Sequence, residues 1–249
     1  MCSAPVTDGP DPEVVRLTGT AWESLSRRGS RSLNADAAAV AADPAAGRTA
    51  FVVADGVGDH LAAVRAARTA AEVAARVGAH SGAHAGILAA QSELLRQLPQ
   101  PEADSVLVVA VLPSPGQPDG PCDIAWVGDC RAYRWNGRVL HQITIDHTVA
   151  EFWRSRGYGS APRLDHIVTT SARTVRPADI GTATTGSSTG RLLLSTDGVH
   201  KRLDMATIKA ILANQKSPAN AADTLVDSAL RAGGTDNTTA LVADCRPLP

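Results

Sequence analysis

Four short apolar runs in this sequence each lie beside an aspartate, and this pattern limits the folds that the chain can adopt. Apolar runs of this length, bounded by turn residues, are typical of buried strands. A single Asp-Gly pair after a strand is ordinary turn chemistry. Because the pattern recurs, it indicates several strands that carry a carboxylate at one end. They are residues 51–54 before Asp55, 124–127 before Asp129, 192–194 before Asp197 and 240–242 after Asp236.

A carboxylate at the end of a buried strand needs a partner, because an uncompensated buried charge is very costly. Mg²⁺ and Mn²⁺ take oxygen ligands, and the aspartates are not accompanied by the His and Cys pattern that favours zinc. Two such ions about 3.5–4 Å apart can share a carboxylate, activate a water and stabilise a displacement at phosphorus. The aspartates therefore indicate a divalent-metal site with hydrolytic chemistry.

The composition favours one domain without a nucleic-acid partner. The 249 residues are 44% hydrophobic, enough for a large core, so we expect a flexible tail over 1–13 and a single domain over 14–246. Lys and Arg number 24 against 25 acidic residues, which gives no basic field for nucleic acid. The four cysteines show no CxxC spacing, which disfavours a zinc thiolate site and a disulfide framework and favours a reducing cytoplasm.

The sequence also predicts no association with a membrane. Its N-terminal segment lacks the basic and apolar regions of a secretory signal. The longest apolar run, residues 106–112, is far shorter than the roughly 20 residues that span a bilayer. We therefore expect a cytoplasmic protein.

The order of the predicted elements favours an α+β fold, because strands and helices come in groups and do not alternate strictly. Alanines and charged residues at three- and four-residue spacing predict a helix over 60–80. Asn136-Gly137 predicts a hairpin turn within 131–144, and 158–191 is loop-like. Further helices are predicted at 86–98, 147–157, 205–214 and 218–232, and further strands at 14–24, 51–54, 104–112, 122–129, 191–195 and 238–244.

Six segments, in order, resemble motifs of one known family, the metal-dependent type 2C protein serine/threonine phosphatases of bacteria. They are RSLNADA (31–37), VVADGVGDH (52–60), WVGDCRAYRW (126–135), ITIDHT (143–148), LLLSTDGV (192–199) and GGTDNTTALV (233–242). The resemblance extends over about 14–244. It implies a four-layer αββα sandwich of two mostly antiparallel sheets flanked by helices.

The resemblance also implies a role for each matched residue. Two Mg²⁺ or Mn²⁺ ions would bind, with a third and weaker site typical of the bacterial branch, and a metal-bridging water would attack phosphorus directly. Arginine suits phosphate because its planar fork binds two oxygens at once. The implied roles are Asp55 bridging two ions, the Gly56 carbonyl on one of them, Asp197 and Asp236 on its neighbour, Asp36 acting through water, Asp129 at the third site and Arg31 on the substrate phosphate.

Departures from the family pattern keep a second function open. Ala35 replaces a Glu or Gln, Asp59 replaces a glycine, and Val57 stands where some members have a proton-donating histidine. In addition, Asp104-Ser105 replaces the usual start of a strand and Cys130 replaces a serine. The alternative is a pseudophosphatase that binds phosphoproteins or a kinase without efficient turnover.

The function implied is hydrolysis of phosphoserine and phosphothreonine in proteins by a monomer. Its partners would be a phosphorylated protein and a serine/threonine kinase. A variant of this hypothesis is a phosphatase dedicated to one regulatory phosphoprotein, chosen through a surface such as 158–191. An aspartyl-phosphate enzyme of the haloacid dehalogenase type is disfavoured, because Asp55-Gly-Val lacks a second aspartate two residues on.

Overall fold

A computed structural model describes residues 20–114 and 120–245, and it arranges them in four layers: helices, sheet, sheet and helices. Both sheets have five strands, and all of their strand pairs are antiparallel. The predicted α+β sandwich is therefore confirmed. The first sheet contains, in spatial order, β1 (Ala21–Arg27), β10 (Thr238–Asp244), β9 (Arg191–Ser195), β6 (Arg131–Trp135) and β7 (Leu140–Gln142). The second contains β2 (Asp36–Asp43), β3 (Arg48–Gly56), β4 (Ser105–Leu112), β5 (Asp123–Val127) and β8 (Gly181–Thr184).

Side-chain alternation in the central strands explains how the two sheets pack. Phe51 and Val53 point into the core between the sheets, whereas Val52 and Ala54 point to the helices. All eight residues of β4 are buried, as expected for a strand covered on both faces. Each buried Val or Phe contributes roughly 1.5–3 kcal/mol. The core between the sheets therefore fixes the ends of the strands that carry the aspartates.

Two long helices, α1 (Leu61–Ser81) and α2 (Ala83–Gln97), cover the second sheet. The His60 side chain caps α1 by accepting a hydrogen bond from the Ala63 N–H (3.1 Å), which gives that histidine a structural role. The buried face of α1 consists of alanines and Gly78. A Cβ at Gly86 of α2 would lie 2.7 Å from the Ala74 carbonyl oxygen, so small residues allow the two helices to pack closely.

The first sheet is covered by α5 (Met205–Asn214) and α6 (Pro218–Arg231). The connections between the strands contain two short helices, α3 (Val149–Arg154) and α4 (Asp197–His200), and two 3₁₀ turns at Pro162–His166 and Pro177–Asp179. In the part of the chain that the structure describes, no helix is long and apolar enough to cross a membrane.

Several predicted boundaries were wrong. The strand predicted over 14–24 is observed as β1 from Ala21 to Arg27, and residues 14–19 and the predicted tail over 1–13 lie outside the described residues. The strand predicted over 51–54 extends over Arg48–Gly56. The segment 158–191 is not all loop, because β8 pairs with the edge of β5. The short polar sequence of β8 gives no strand signal of its own, so pairing with the sheet decides its conformation.

Candidate metal and phosphate site

Antiparallel pairing brings the predicted aspartates to one end of the sandwich. Because β2 begins where β3 ends, Asp36 lies directly opposite Asp55. Similarly β10 begins where β9 ends, so Asp236, two residues before β10, comes near Asp197 at the start of α4. Asp129 lies in the turn that leads from β5 to β6.

An open cleft of about 180 Å³ lies at this end, with room for on the order of ten water-sized groups. Asp36 lies behind it, and Val57, Asp59 and His166 are further lining residues. The cleft therefore contains nearly the whole predicted site. The predicted site residues that line it are Arg31, Asp55, Gly56, Asp129, Asp197 and Asp236.

Asp36 is a buried carboxylate with one satisfied and one unsatisfied oxygen. Its Oδ2 accepts hydrogen bonds from the hydroxyls of Thr196 (2.8 Å), which directly follows β9, and of Thr239 (2.6 Å) in β10. Its Oδ1 has no hydrogen-bond partner among the described residues. Burial raises the pKa of Asp36 to about 7, although the two threonine hydrogen bonds oppose the rise. A buried orphan oxygen of this kind suits a cation or a water bound to one.

The pKa of Asp55 reflects its burial among other carboxylates. Burial, and then the nearby carboxylates of Asp36 and Asp197, raise the pKa of Asp55 well above its usual value. Burial is also the main reason that the pKa of Asp129 is raised. Carboxylates so close together cannot all be ionised unless positive charge is supplied.

Two cationic side chains of the chain itself supply part of that charge. The Lys201 Nζ donates hydrogen bonds to Asp129 Oδ2 (2.9 Å) and Asp197 Oδ2 (2.8 Å). The Arg31 Nη2 donates to Asp236 Oδ2 (2.8 Å). Within residues 20–114 and 120–245, no group of three or more His, Cys, Asp and Glu side chains is arranged to hold a metal ion as it stands. Three of the five aspartates direct an oxygen to Lys201 or Arg31 instead.

Proteins similar to this chain are found among solved structures. No protein-family model matches the chain, and no curated protein matches it. Among solved structures it is similar to the serine/threonine phosphatase Stp1 from Staphylococcus aureus, with 22% identity and a TM-score of 0.78 over 96% of this chain and 99% of that one. It is also similar to PppA, a regulatory component of T6SS in Pseudomonas aeruginosa, with 25% identity and a TM-score of 0.72 over 91% and 97% of the two chains.

The chain has the fold of the bacterial serine/threonine phosphatases. A further similar structure is the catalytic domain of the phosphatase PstP in complex with two manganese ions, with 24% identity and a TM-score of 0.71 over 90% of this chain and 97% of that one. The type 2C resemblance inferred from the sequence motifs is thus supported by the similarity in fold.

Asp59, which departs from the phosphatase motif, holds the loop that carries Arg31. Its carboxylate accepts hydrogen bonds from the backbone N–H groups of Ser32 and Leu33, both at 3.1 Å. These backbone hydrogen bonds lower the pKa of Asp59, so it stays ionised. The sequence showed only that Asp59 replaces a glycine, whereas the structure shows that it anchors the loop that carries Arg31.

Asn237 anchors the same loop from the other side, and the sequence analysis gave it no role. Its Nδ2 donates to the carbonyl oxygens of Arg28 and Leu33, and its Oδ1 accepts from the Ala35 N–H, all at 2.8 Å. Ala35 is buried and adds no polar side chain to the cleft. Its carbonyl accepts a hydrogen bond from Gly56 N (3.0 Å), which links the loop to the end of β3.

Two residues near α4 were not identified correctly from the sequence. Lys201 was given no role, although it comes four residues after Asp197, a spacing that pairs charges on a helical turn. His200 was also given no role, and it is buried with its Nδ1 3.2 Å from Ser195 Oγ. Burial lowers the pKa of His200 well below its usual value, so it is neutral.

Proposed function

We propose that this protein is a Mg²⁺- or Mn²⁺-dependent phosphatase that hydrolyses phosphoserine and phosphothreonine in proteins. The observation that carries the proposal is the convergence of five aspartates at one cleft beside Arg31. One of them, Asp36, keeps a buried oxygen without a partner among the described residues. The fold shared with bacterial phosphatases supports the same function.

The donor set fits hard divalent ions. Every predicted ligand offers oxygen: the carboxylates of Asp55, Asp197 and Asp236 and the carbonyl of Gly56, with Asp36 acting through water. Such a set is typical of Mg²⁺ and Mn²⁺ sites. When bound, two ions supply an activated water and neutralise the charge that develops on the phosphoryl oxygens.

The remaining steps belong to the protein's own side chains. Arg31 is 43% exposed at the mouth of the cleft, where its guanidinium can meet a phosphate in a bidentate way. When Asp236 binds a metal ion, the charge of its carboxylate is compensated. Its ion pair with Arg31 then weakens, which frees the guanidinium for the substrate. Val57 is exposed at the cleft and has no acidic group that could donate a proton, so the leaving group takes its proton from solvent, which the open cleft admits.

We also propose the partners of the protein, its compartment and its oligomeric state. The substrate is a phosphorylated protein, and a serine/threonine kinase opposes the reaction. We propose a cytoplasmic monomer. The three described cysteines, Cys122, Cys130 and Cys245, are buried and free, which is compatible with a reducing compartment.

The second candidate function, a pseudophosphatase, is favoured by the ion pairs of Lys201 and Arg31. These pairs engage three of the five aspartates, and Ala35 supplies no further oxygen. A phosphate-binding cleft with too little metal affinity would bind phosphoproteins without turning them over.

Hydrolysis of a phosphothreonine peptide by the purified protein, with and without millimolar Mn²⁺, separates the two functions. Asp55→Asn and Asp197→Asn remove proposed ligands, and Asp223→Asn, at an exposed position of α6, is the matched control. The phosphatase predicts Mn²⁺-dependent turnover that is lost in the first two variants and kept in the control. A folded protein that binds the peptide but releases no phosphate would support the pseudophosphatase.

A further inference from the structure

Lys201 lies beside Asp129, the residue that the resemblance assigns to a third metal ion. Its ammonium group donates to Asp129 Oδ2 and Asp197 Oδ2 at 2.9 and 2.8 Å. The lysine side chain is only 17% exposed, and those of Asp129 and Asp197 are 6% and 14% exposed. The ammonium therefore occupies the space between Asp129, the residue predicted for the third ion, and Asp197, a predicted ligand of the two-ion pair.

The backbone keeps Lys201 in this position. Asp197 is the first residue of α4, and the Lys201 N–H donates to the Asp197 carbonyl (2.9 Å), so both side chains project from one helical turn. A Cβ at Gly198 would lie 2.1 Å from the Asn237 carbonyl oxygen, which shows how tightly α4 packs on the start of β10. Withdrawal of the lysine would leave the buried Asp129 without its cation, a costly change.

The charges at this position argue against a third ion. Asp129 and Asp197 carry two negative charges, and the ammonium already neutralises one of them. A divalent ion placed between the same oxygens would contact the ammonium at a few ångströms and be repelled by it. The residues present do not fit the third ion that the sequence resemblance implied.

We propose that the Lys201 ammonium replaces the third metal ion, so that the cleft holds two divalent ions and one built-in cation. The inference rests on the proposed function, since it assumes that Asp55, Asp197 and Asp236 bind the other two. It predicts that metal binding saturates at two ions per chain, and that removing the lysine charge opens a further site.

The test counts the Mn²⁺ ions bound per chain by equilibrium dialysis and calorimetry. It compares the wild-type protein with Lys201→Met, with Lys201→Gln, which keeps hydrogen-bond donors, and with Lys216→Met as an exposed control. We expect two ions in the wild type and in the control, and three in both Lys201 variants. Adding Asp129→Asn to Lys201→Gln should abolish the third ion. Thermal unfolding shows which variants are folded.

The outcomes distinguish the two proposals. Three ions in the wild type, or two in a folded Lys201 variant, would overturn the role of Lys201 and leave the phosphatase standing. A wild-type protein that binds no Mn²⁺ would overturn the proposed function together with this inference.

Discussion

Replacing Asp36 with Asn should stabilise the metal-free protein at alkaline pH, although it removes a residue of the site. The carboxylate is buried, and its pKa rises from 3.8 to about 7. A raised pKa means that folding favours the protonated form, so stability is lost as pH rises through the folded value. The full difference corresponds to roughly 4 kcal/mol, of which about 3 kcal/mol is lost between pH 5 and pH 8. Asn has no proton to lose and escapes this penalty.

Urea unfolding in EDTA at pH 5 and pH 8 measures the effect. The free energy of unfolding of Asp36→Asn, relative to the wild type, should rise by about 3 kcal/mol between the two pH values. Asp223→Asn, which is exposed, should show no such change. With Mn²⁺ present, the wild type should recover more stability than Asp36→Asn, because the ions compensate the buried charge. A difference that stays constant with pH in EDTA would refute the reasoning.

Three further variants test the loop, the phosphate contact and the turn at the site. Asp59→Ala removes the acceptor for two backbone N–H groups of the Arg31 loop, so KM for a phosphopeptide should rise about tenfold with little change in Tm, a result that steady-state kinetics and thermal unfolding can check. An unchanged KM would exclude Asp59 as an anchor. Arg31→Lys keeps the charge but loses bidentate binding, so kcat/KM should fall by roughly tenfold or more; equal activity would place the phosphate elsewhere. Gly128→Ala puts a Cβ 2.1 Å from Val106 Cγ1 at a φ of 84°, so it should lower the free energy of unfolding by about 1–3 kcal/mol in urea titrations, and no loss would contradict the packing of this turn.

Elements with a strong local pattern could be predicted from the sequence. The helix predicted over 205–214 is observed as Met205–Asn214, and the alanine periodicity predicted α1 to within a residue. The strand β4 was recognised because all of its residues except Ser105 are apolar. Here the hydrophobic spacing alone determines which face is buried.

Elements that depend on tertiary contacts could not be predicted. The strand β8 has the sequence GTAT and forms only by pairing with β5, where a Cβ at Gly181 would lie 2.2 Å from the Trp126 ring. The anchoring role of Asp59 depends on a loop 26 and 27 residues away. The burial of His200 could not be predicted, because the charged Lys201 that follows it in the sequence indicates an exposed segment.

In the candidate site too, residues marked by a local sequence pattern were predicted, and residues placed by tertiary contacts were not. Four of the aspartates were found because each lies beside an apolar run, and Asp36 was identified through the family resemblance. Antiparallel pairing then determines that they meet. The lysine between Asp129 and Asp197 was missed, since a charged residue after a short helix is usually a solvated one. The contact between Lys201 and Asp129 joins α4 to the turn between β5 and β6, and sequence spacing does not reveal it.

Anomalous diffraction at the manganese edge from crystals soaked in Mn²⁺ tests the central claim most directly, namely that the aspartates form a two-ion centre. The account predicts two strong peaks in the cleft, both in contact with Asp55, with the Lys201 ammonium still between Asp129 and Asp197. A cleft without a manganese peak, or a single ion that does not touch Asp55, would contradict it.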